Sequence, residues 1–347
     1  MSAAQSKNGP LMAAEFREAP EVVRRQAETL ASPLAELVAL LGQKPPRVVV
    51  TCARGSSANA ATFGKYLIER YLGIPVADAA PSIMSVYRKG LRLDGQLFLA
   101  ISQSGRSEDL IESACRAKDS GALTVALVND TRSPLASACD IILSMEAGQE
   151  LSVAATKTFV ASLAALLSLV AVWASDPELT AALHRLPDRL ASAADLDWGE
   201  GVGALASAQS LATLGRGPTF AIAQEAALKL KEVCNIHAEA FSGAEFQHGP
   251  IALVSSGYPL LVLMPADASG AILAELVADL RRKSASVLVA ENSSGKSGQL
   301  PILAFDHPDT DAVCLIQSLY ALAIRLAQRR GVDIDQPRHL RKITRTR

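Results

Sequence analysis

Net charge is nearly missing from this chain: 34 Lys and Arg stand against 35 Asp and Glu over 347 residues, a balance of −1. Without a basic excess there is no electrostatic case for nucleic acid or an anionic membrane as partner. Aromatic residues are scarce at 4%, while hydrophobic residues of all kinds reach 49%, so the core must be mostly aliphatic. The five cysteines, Cys52, Cys115, Cys139, Cys234 and Cys314, are scattered, odd in number and without metal-ligand spacing. They read as reduced, mostly buried thiols of a cytoplasmic protein. Residues Met1–Pro10 lack the apolar core of a signal peptide. The stretch Phe159–Ala174 is almost wholly apolar but short for a membrane span and interrupted by Ser162 and Ser168; it is expected to be a buried helix. No lysine follows a glycine in the Walker pattern, and no good dinucleotide fingerprint is present. His237, Glu239 and His248 do not have zincin spacing, so neither a metal nor a cofactor is expected.

What the chain does have is an alternation of short apolar runs with helical stretches. Residues 12–42 predict one or two amphipathic helices, and Pro45–Pro46 marks the entry to a sheet. Strand-like runs follow near 47–52, 75–79, 96–101, 123–128 and 140–145. A polar, Asp- and Pro-bearing region at 175–197 then separates the halves, and the pattern restarts. Further strands are expected at 210–214, 259–264, 286–290 and 302–305, with helices at 218–233, 270–283 and 310–329. The chain length suits two domains. The expected fold is α/β, with two tandem domains that each cover a parallel sheet by helices on both faces. The proposed boundaries are an N-terminal helical segment at 1–45, a first domain at 46–175, a second at 200–330 and a tail at 331–347. Pattern alone would let that tail fray.

Two turns carry the first chemical signal. Ser102-Gln103-Ser104-Gly105-Arg106-Ser107 follows one apolar strand and precedes a helix that opens with Glu108 and Asp109. Arg54-Gly55-Ser56-Ser57 stands in the same position one βαβ unit earlier. Hydroxyls, backbone N–H groups and helix dipoles converge there, which suits a phosphate. Both turns fall at the carboxyl edge of one parallel sheet, where open α/β sheets bind ligands. A sugar phosphate fits the hydroxyl lining.

The densest set of titratable groups runs from Glu225 through Lys229 and Glu232 to His237, Glu239, Glu245 and His248. On a helix, Glu225, Lys229 and Glu232 share one face. Ala226, Ala227, Leu228 and Leu230 hem them in. A ladder of surface ion pairs and a buried carboxylate tuned for proton transfer both account for this pattern.

Taken together, these segments resemble the sugar isomerase (SIS) domain family, above all the isomerase half of the glutamine–fructose-6-phosphate aminotransferases. The resemblance rests on Gly55-Ser56-Ser57, Ser102–Ser107, the Glu150-to-Lys157 segment and Ala227–Glu232. It continues through Ile236–Ala240, Ala244–Pro250 and Asp335–Lys342, all in family order. The resemblance implies a flavodoxin-like three-layer arrangement in each domain and a C-terminal tail that closes the site. It implies that Ser56, Ser57, Ser102, Gln103, Ser104 and Ser107 cradle the sugar phosphate, with Glu150, Val153 and Ala154 at the site. It gives Glu232 the role of the base between C1 and C2, and His248 that of a ring-opening group reaching in from a partner subunit. It makes Lys342 the lysine that holds an open-chain ketose as a Schiff base, with Lys229 in support. A homodimer is implied.

Three departures stand out. Arg106 replaces a frequent Glu, which should make the phosphate turn more cationic. Ala155 replaces a Ser. His339 and Arg341 replace smaller or neutral residues beside Lys342. The aminotransferases also begin with a glutaminase domain, for which some forty residues before the first strand leave no room. The resulting expectation is an isomerising glucosamine-6-phosphate deaminase that releases fructose 6-phosphate and ammonia. The alternatives are a fructosamine-phosphate deglycase, an enzyme for another amino sugar phosphate, or a non-catalytic sugar-phosphate sensor. Residues 1–45 are too few and not basic enough for the helix-turn-helix that such regulators of transcription carry.

Overall fold

The computed structural model describes residues 10–292 and 297–342; the expectations for residues 1–9 and 343–347 lie outside the described residues. Glu21–Gln149 and Thr158–Arg185 make up a first compact unit. Residues 10–20, Glu150–Lys157 and Leu186–Lys342 make up a second.

The first unit holds five parallel strands: β1 (Val49–Ala53), β2 (Val76–Asp78), β3 (Leu97–Ser102), β4 (Leu123–Val128) and β5 (Ile141–Ser144). Their order is β2-β1-β3-β4-β5. Val49 pairs with Leu97 and Ala53 with Ile101, which fixes the register of β1 on β3. Every residue of β1 and β3 is buried, as both faces of a parallel sheet require. Side chains from Phe98, Ala100, Ala126 and Val128 form the floor of one hydrophobic core.

The second unit repeats this layout. Its strands are β6 (Ser210–Gly215), β7 (His237–Ser242), β8 (Pro259–Leu263), β9 (Ser286–Glu291) and β10 (Gln299–Pro301). They lie in the order β10-β9-β8-β6-β7, also all parallel. Read from the other edge, this is the strand order of the first sheet. The helices after the opening strand also match, at Ser56–Leu72 and Pro218–Cys234, 17 residues each. Each is preceded by a glycine in the same conformation: Gly55 at φ 54°, ψ −134° and Gly217 at φ 57°, ψ −139°. An L side chain is strained in that region, so both turns demand glycine. The α/β fold with two parallel sheets flanked by helices is therefore as expected from the sequence.

Three expectations need correction. Residues 302–305 are not a strand; the fifth strand of the second sheet is Gln299–Pro301, and Phe305 is exposed. His237–Ser242 is an edge strand, missed because His237 and Glu239 point to solvent and leave little apolar signal. The separating region contains a helix, Pro177–Ala194. Its apolar positions Leu179, Ala182, Leu186, Leu190 and Ala193 recur at helical spacing and are all buried, and Pro187 lies inside it rather than ending it. Two helices, Lys157–Ala174 and Pro308–Arg329, are long and apolar enough to cross a membrane, yet 78% and 83% of their apolar windows are buried inside the protein.

The described part of the tail is anchored. Ile334 and Pro337 are buried, and the Asp335 carboxylate accepts from the backbone N–H of Leu11 (2.8 Å) and Met12 (3.2 Å). These N–H groups open the Leu11–Glu15 helix and have no partner within it, so Asp335 supplies one.

Candidate active site

In the first unit, β1 and β3 are neighbours from which the chain turns to opposite sides of the sheet. Such a switch point opens a crevice beyond the strand ends. Both sequence-predicted phosphate turns sit there. Ser56 and Ser57 begin the helix after β1 and are half-buried. Ser102 ends β3, and its Oγ accepts from the Gly105 N–H at 3.1 Å; Ser104 Oγ accepts from the Arg106 N–H at 3.3 Å. These bonds curl the turn around Gly105, whose φ is +61° and whose added Cβ would collide with Ser133 Oγ. Ser107 is the N-cap of the Glu108–Asp119 helix, yet its hydroxyl makes no cap bond. Among the described residues, the side chains of Ser57, Gln103 and Ser107 make no hydrogen bond to the protein. They are donors held in place but not consumed by the fold.

Sequence reasoning missed Arg54. Its Nε and Nη2 both donate to Asp109 Oδ2, at 3.1 and 2.7 Å, which ties the turn after β1 to the helix that begins after Ser107. Asp109 is almost fully buried while Arg54 is half exposed. The signal was present: an Arg at the end of one strand and an Asp in the first turn of the next helix. Arg106 does not make the turn as cationic as expected, because it donates to Asp130 at 2.9 Å. The Arg132 backbone N–H and Arg106 hold the Asp130 carboxyl below its ordinary range.

In the second unit, the Pro218–Cys234 helix places Glu225, Lys229 and Glu232 on one face. Lys229 Nζ lies 3.3 Å from Glu225 Oε1 and also donates to Glu232 Oε2. Glu225 and Lys229 have no exposed side-chain surface, whereas Glu232 keeps 20%. Burial alone would depress the Lys229 ammonium, but the charges and hydrogen bonds of Glu225 and Glu232 outweigh it and raise its pKa. This is a buried ion-paired triad with one partly open carboxylate, rather than a surface ladder.

A second pair stands in the same unit. Lys342 Nζ lies 2.8 Å from Glu150 Oε2, and Glu150 Oε1 accepts from the Thr156 N–H at 3.0 Å. The loop carrying Glu150 is held from below by Glu15, which accepts from the N–H groups of Leu151 and Ser152 and from the Ser152 hydroxyl. Lys157, buried at the end of the same loop, pairs with Glu18 at 2.7 Å. Within the loop Val153 is half-buried and Ala154 buried. Tyr320, which sequence reasoning also missed, is fully buried; burial, then the charges of Glu225, Glu150 and Glu232, push its hydroxyl pKa well up.

His248 stands apart from these groups. It follows the short Gly243–Phe246 helix, its backbone N–H donates to Glu245 O, and its exposed imidazole joins neither the Lys229 triad nor the Glu150 pair. Burial pushes the thiols of Cys52, Cys139, Cys234 and Cys314 up to about 12, so none is a ready nucleophile. No group of three or more His, Cys, Asp or Glu suited to a metal occurs among the described residues.

The SIS domain family profile matches residues 43–172 and 204–297, one segment over each sheet. The chain belongs to the SIS domain family. A glutamine–fructose-6-phosphate aminotransferase (isomerizing) of Zymomonas mobilis is 33% identical over 357 residues, covering 95% of this chain and 58% of the relative. The chain thus spans little more than half the length of the curated relatives it matches. A Silicibacter pomeroyi protein provisionally named a phosphosugar isomerase superposes with a TM-score of 0.89 at 44% identity, covering 94% of this chain and 100% of that one. The C-terminal domain of the glucosamine–fructose-6-phosphate aminotransferase of Francisella tularensis gives 0.84 at 28% identity, covering 96% and 100%. This SIS protein is therefore related to the isomerising part of those aminotransferases.

Proposed function

We propose that this SIS protein is an amino-sugar-phosphate isomerase that converts glucosamine 6-phosphate and water to fructose 6-phosphate and ammonia. The observation that carries the reading is the pairing of Lys342 with buried Glu150 in the same unit as the Glu225–Lys229–Glu232 triad. A plain aldose–ketose isomerase needs a base but no amine; a lysine held by a buried carboxylate in the unit that carries the triad suits exchange at an imine carbon.

In this reading the phosphate is held by Ser56, Ser57, Ser102, Gln103, Ser104 and Ser107. His248 opens the sugar ring. Glu232 takes the proton from C2 and returns it to C1, giving a C2 imine; its partial exposure and its tether to Lys229 suit a carboxylate that must shuttle. The Lys342 amine, after losing its proton to water, attacks C2 and ammonia leaves. Water then hydrolyses the Lys342 imine, freeing the ketose and restoring the lysine. With water in large excess over free ammonia, mass action favours release.

The reading includes a homodimer in which His248 serves the partner's site. Its support is that the imidazole is exposed and engages none of its own chain's acid/base groups. Mixing inactive Glu232→Gln and His248→Asn proteins should then restore activity, since a mixed dimer regains one complete set.

The test of the function is release of ammonia and fructose 6-phosphate from glucosamine 6-phosphate by the purified protein without added cofactor. Release of neither, with sugar phosphates still raising Tm, would turn the reading toward a fructosamine-phosphate deglycase, another amino sugar phosphate or a sensor.

A further inference from the structure

One short N-terminal stretch, residues 11–18, grips both ends of the Glu150–Lys157 loop. At the near end, the Glu15 carboxylate accepts from the backbone N–H groups of Leu151 and Ser152 and from the Ser152 hydroxyl. At the far end, Glu18 lies 2.7 Å from Lys157 Nζ. Glu15 and Lys157 are both buried, which such residues are only when well partnered. Between the bound residues Glu150 and Ser152, the Leu151 side chain is 54% exposed. Apolar burial does not hold that part of the loop; the bonds to Glu15 do.

The gripping stretch is itself docked. Met12 and Phe16 are buried, Gln317 Nε2 donates to Phe16 O at 2.8 Å, and Asp335 accepts from the Leu11 and Met12 N–H groups. What the stretch fixes is specific. The Leu151 N–H belongs to the peptide unit that follows the Glu150 Cα, so its bond to Glu15 ties down the backbone from which the Glu150 side chain springs. That side chain accepts from the Thr156 N–H at Oε1 and from Lys342 Nζ at Oε2. Asp335 and Lys342 lie on the same tail. The contacts therefore close a ring: tail to helix at Asp335, helix to loop at Glu15, loop to tail at Lys342. Coupling between distant groups travels through such contiguous bonded networks. Among the described residues, no hydrogen bond or ion pair joins Glu15 to Lys342 directly.

We propose that Glu15 is a positioning residue, which sets the Glu150 carboxylate and through it the place of the Lys342 amine. The inference rests on the proposed function only for what Lys342 does in turnover.

The experiment is acylation of the ligand-free protein by sulfo-N-hydroxysuccinimidyl acetate at pH 7.5, read lysine by lysine by peptide mass spectrometry. Lys342 keeps 24% of its side chain exposed and is within reach of the reagent. Lys283, exposed and paired with Asp279, is the internal standard; Lys229, with no exposed side-chain surface, reports an intact fold. Glu15→Gln should raise Lys342 labelling about three- to tenfold against Lys283 and leave Lys229 protected. Ser152→Ala, which removes one of the three donors, should raise it less and in the same direction. In a Glu150→Gln background, where the lysine has already lost its carboxylate, either change should add nothing. Unchanged Lys342 labelling, or an equal rise with and without Glu150, would overturn the proposal. If Glu15→Gln exposes Lys229, Ser152→Ala decides by the same two criteria. The counterpart in turnover is a fall in kcat of about tenfold for Glu15→Gln, with KM for glucosamine 6-phosphate retained and Lys229 still protected. An unmodified protein that releases no ammonia would remove the proposed reaction and leave the labelling to decide the role of Glu15.

Discussion

Lys342 and Glu150 are 192 residues apart in the sequence and 2.8 Å apart in space. The lysine side chain keeps about a quarter of its surface exposed, and the carboxylate keeps none. The pair ties the tail to the loop that follows the first sheet. That loop is itself held by Glu15, so three distant stretches of chain meet at it.

Glu232→Gln should lower turnover by about 10²–10⁴-fold while leaving the binding of inorganic phosphate intact. Ammonia release and the phosphate-induced rise in Tm are the two readouts. Full turnover in the variant would remove Glu232 from the role of base.

Lys229→Met should destabilise the fold by about 3–5 kcal/mol at neutral pH, since fully buried Glu225 and partly exposed Glu232 would lose their cation. The folded-state pKa of Lys229 lies above its unfolded value of 10.5. Its stabilisation is therefore fully present below pH 10.5 and is lost as pH rises beyond the folded-state value. Unfolding scans from pH 9 upward should show a loss in the parent protein that the variant lacks. A variant as stable as its parent at pH 7.5 would refute the buried-triad account.

Ser107 and Ser133 offer a matched comparison, because both are N-caps. Ser133 Oγ accepts from the Ala136 N–H, whereas Ser107 makes no such bond. Ser133→Ala should cost about 1 kcal/mol of stability, and Ser107→Ala should cost little. For phosphate binding the ranking should reverse, with Ser107→Ala weakening it several-fold. Equal Tm losses for the two would show that Ser107 is an ordinary cap.

Gly55→Ala and Gly105→Ala should differ in kind. Both glycines have positive φ, but only a Cβ at Gly105 meets another residue, Ser133. Backbone strain alone costs about 1–3 kcal/mol, and the collision adds to it at Gly105. The prediction is a lower Tm for both variants and a larger drop for Gly105→Ala, measured by thermal unfolding.

Much of this was legible in the sequence because a parallel sheet leaves a plain mark. Runs such as Leu97–Ser102 are buried on both faces and so read as continuous apolar segments. The edge strand His237–Ser242 escaped notice for the converse reason: outward His237 and Glu239 break its apolar run. The Pro177–Ala194 helix was hidden by Pro187 and Asp188, although its apolar spacing was there to be counted. At the site, local spacing was enough for Glu225, Lys229 and Glu232, one helix face apart. It could not show that Lys342 meets Glu150, that Arg54 is clamped by Asp109 or that Tyr320 is fully buried. Those relationships join residues whose neighbours in sequence carry no sign of them.

The matching glycines at 55 and 217 bear on ancestry. Two sheets with one strand order, opening helices of one length and a shared Arg-Gly turn fit an internal duplication. Once the backbone of each turn was set by its glycine, the residues after it were free to diverge. Ser56 and Ser57 follow one glycine, Pro218 and Thr219 the other. Proline at the first helical position has no N–H, and the Thr219 hydroxyl is bonded back to the Arg216 carbonyl. The second turn has thus closed on itself, and the helix behind it was free to acquire titratable groups without crowding an anion at its own N-terminus.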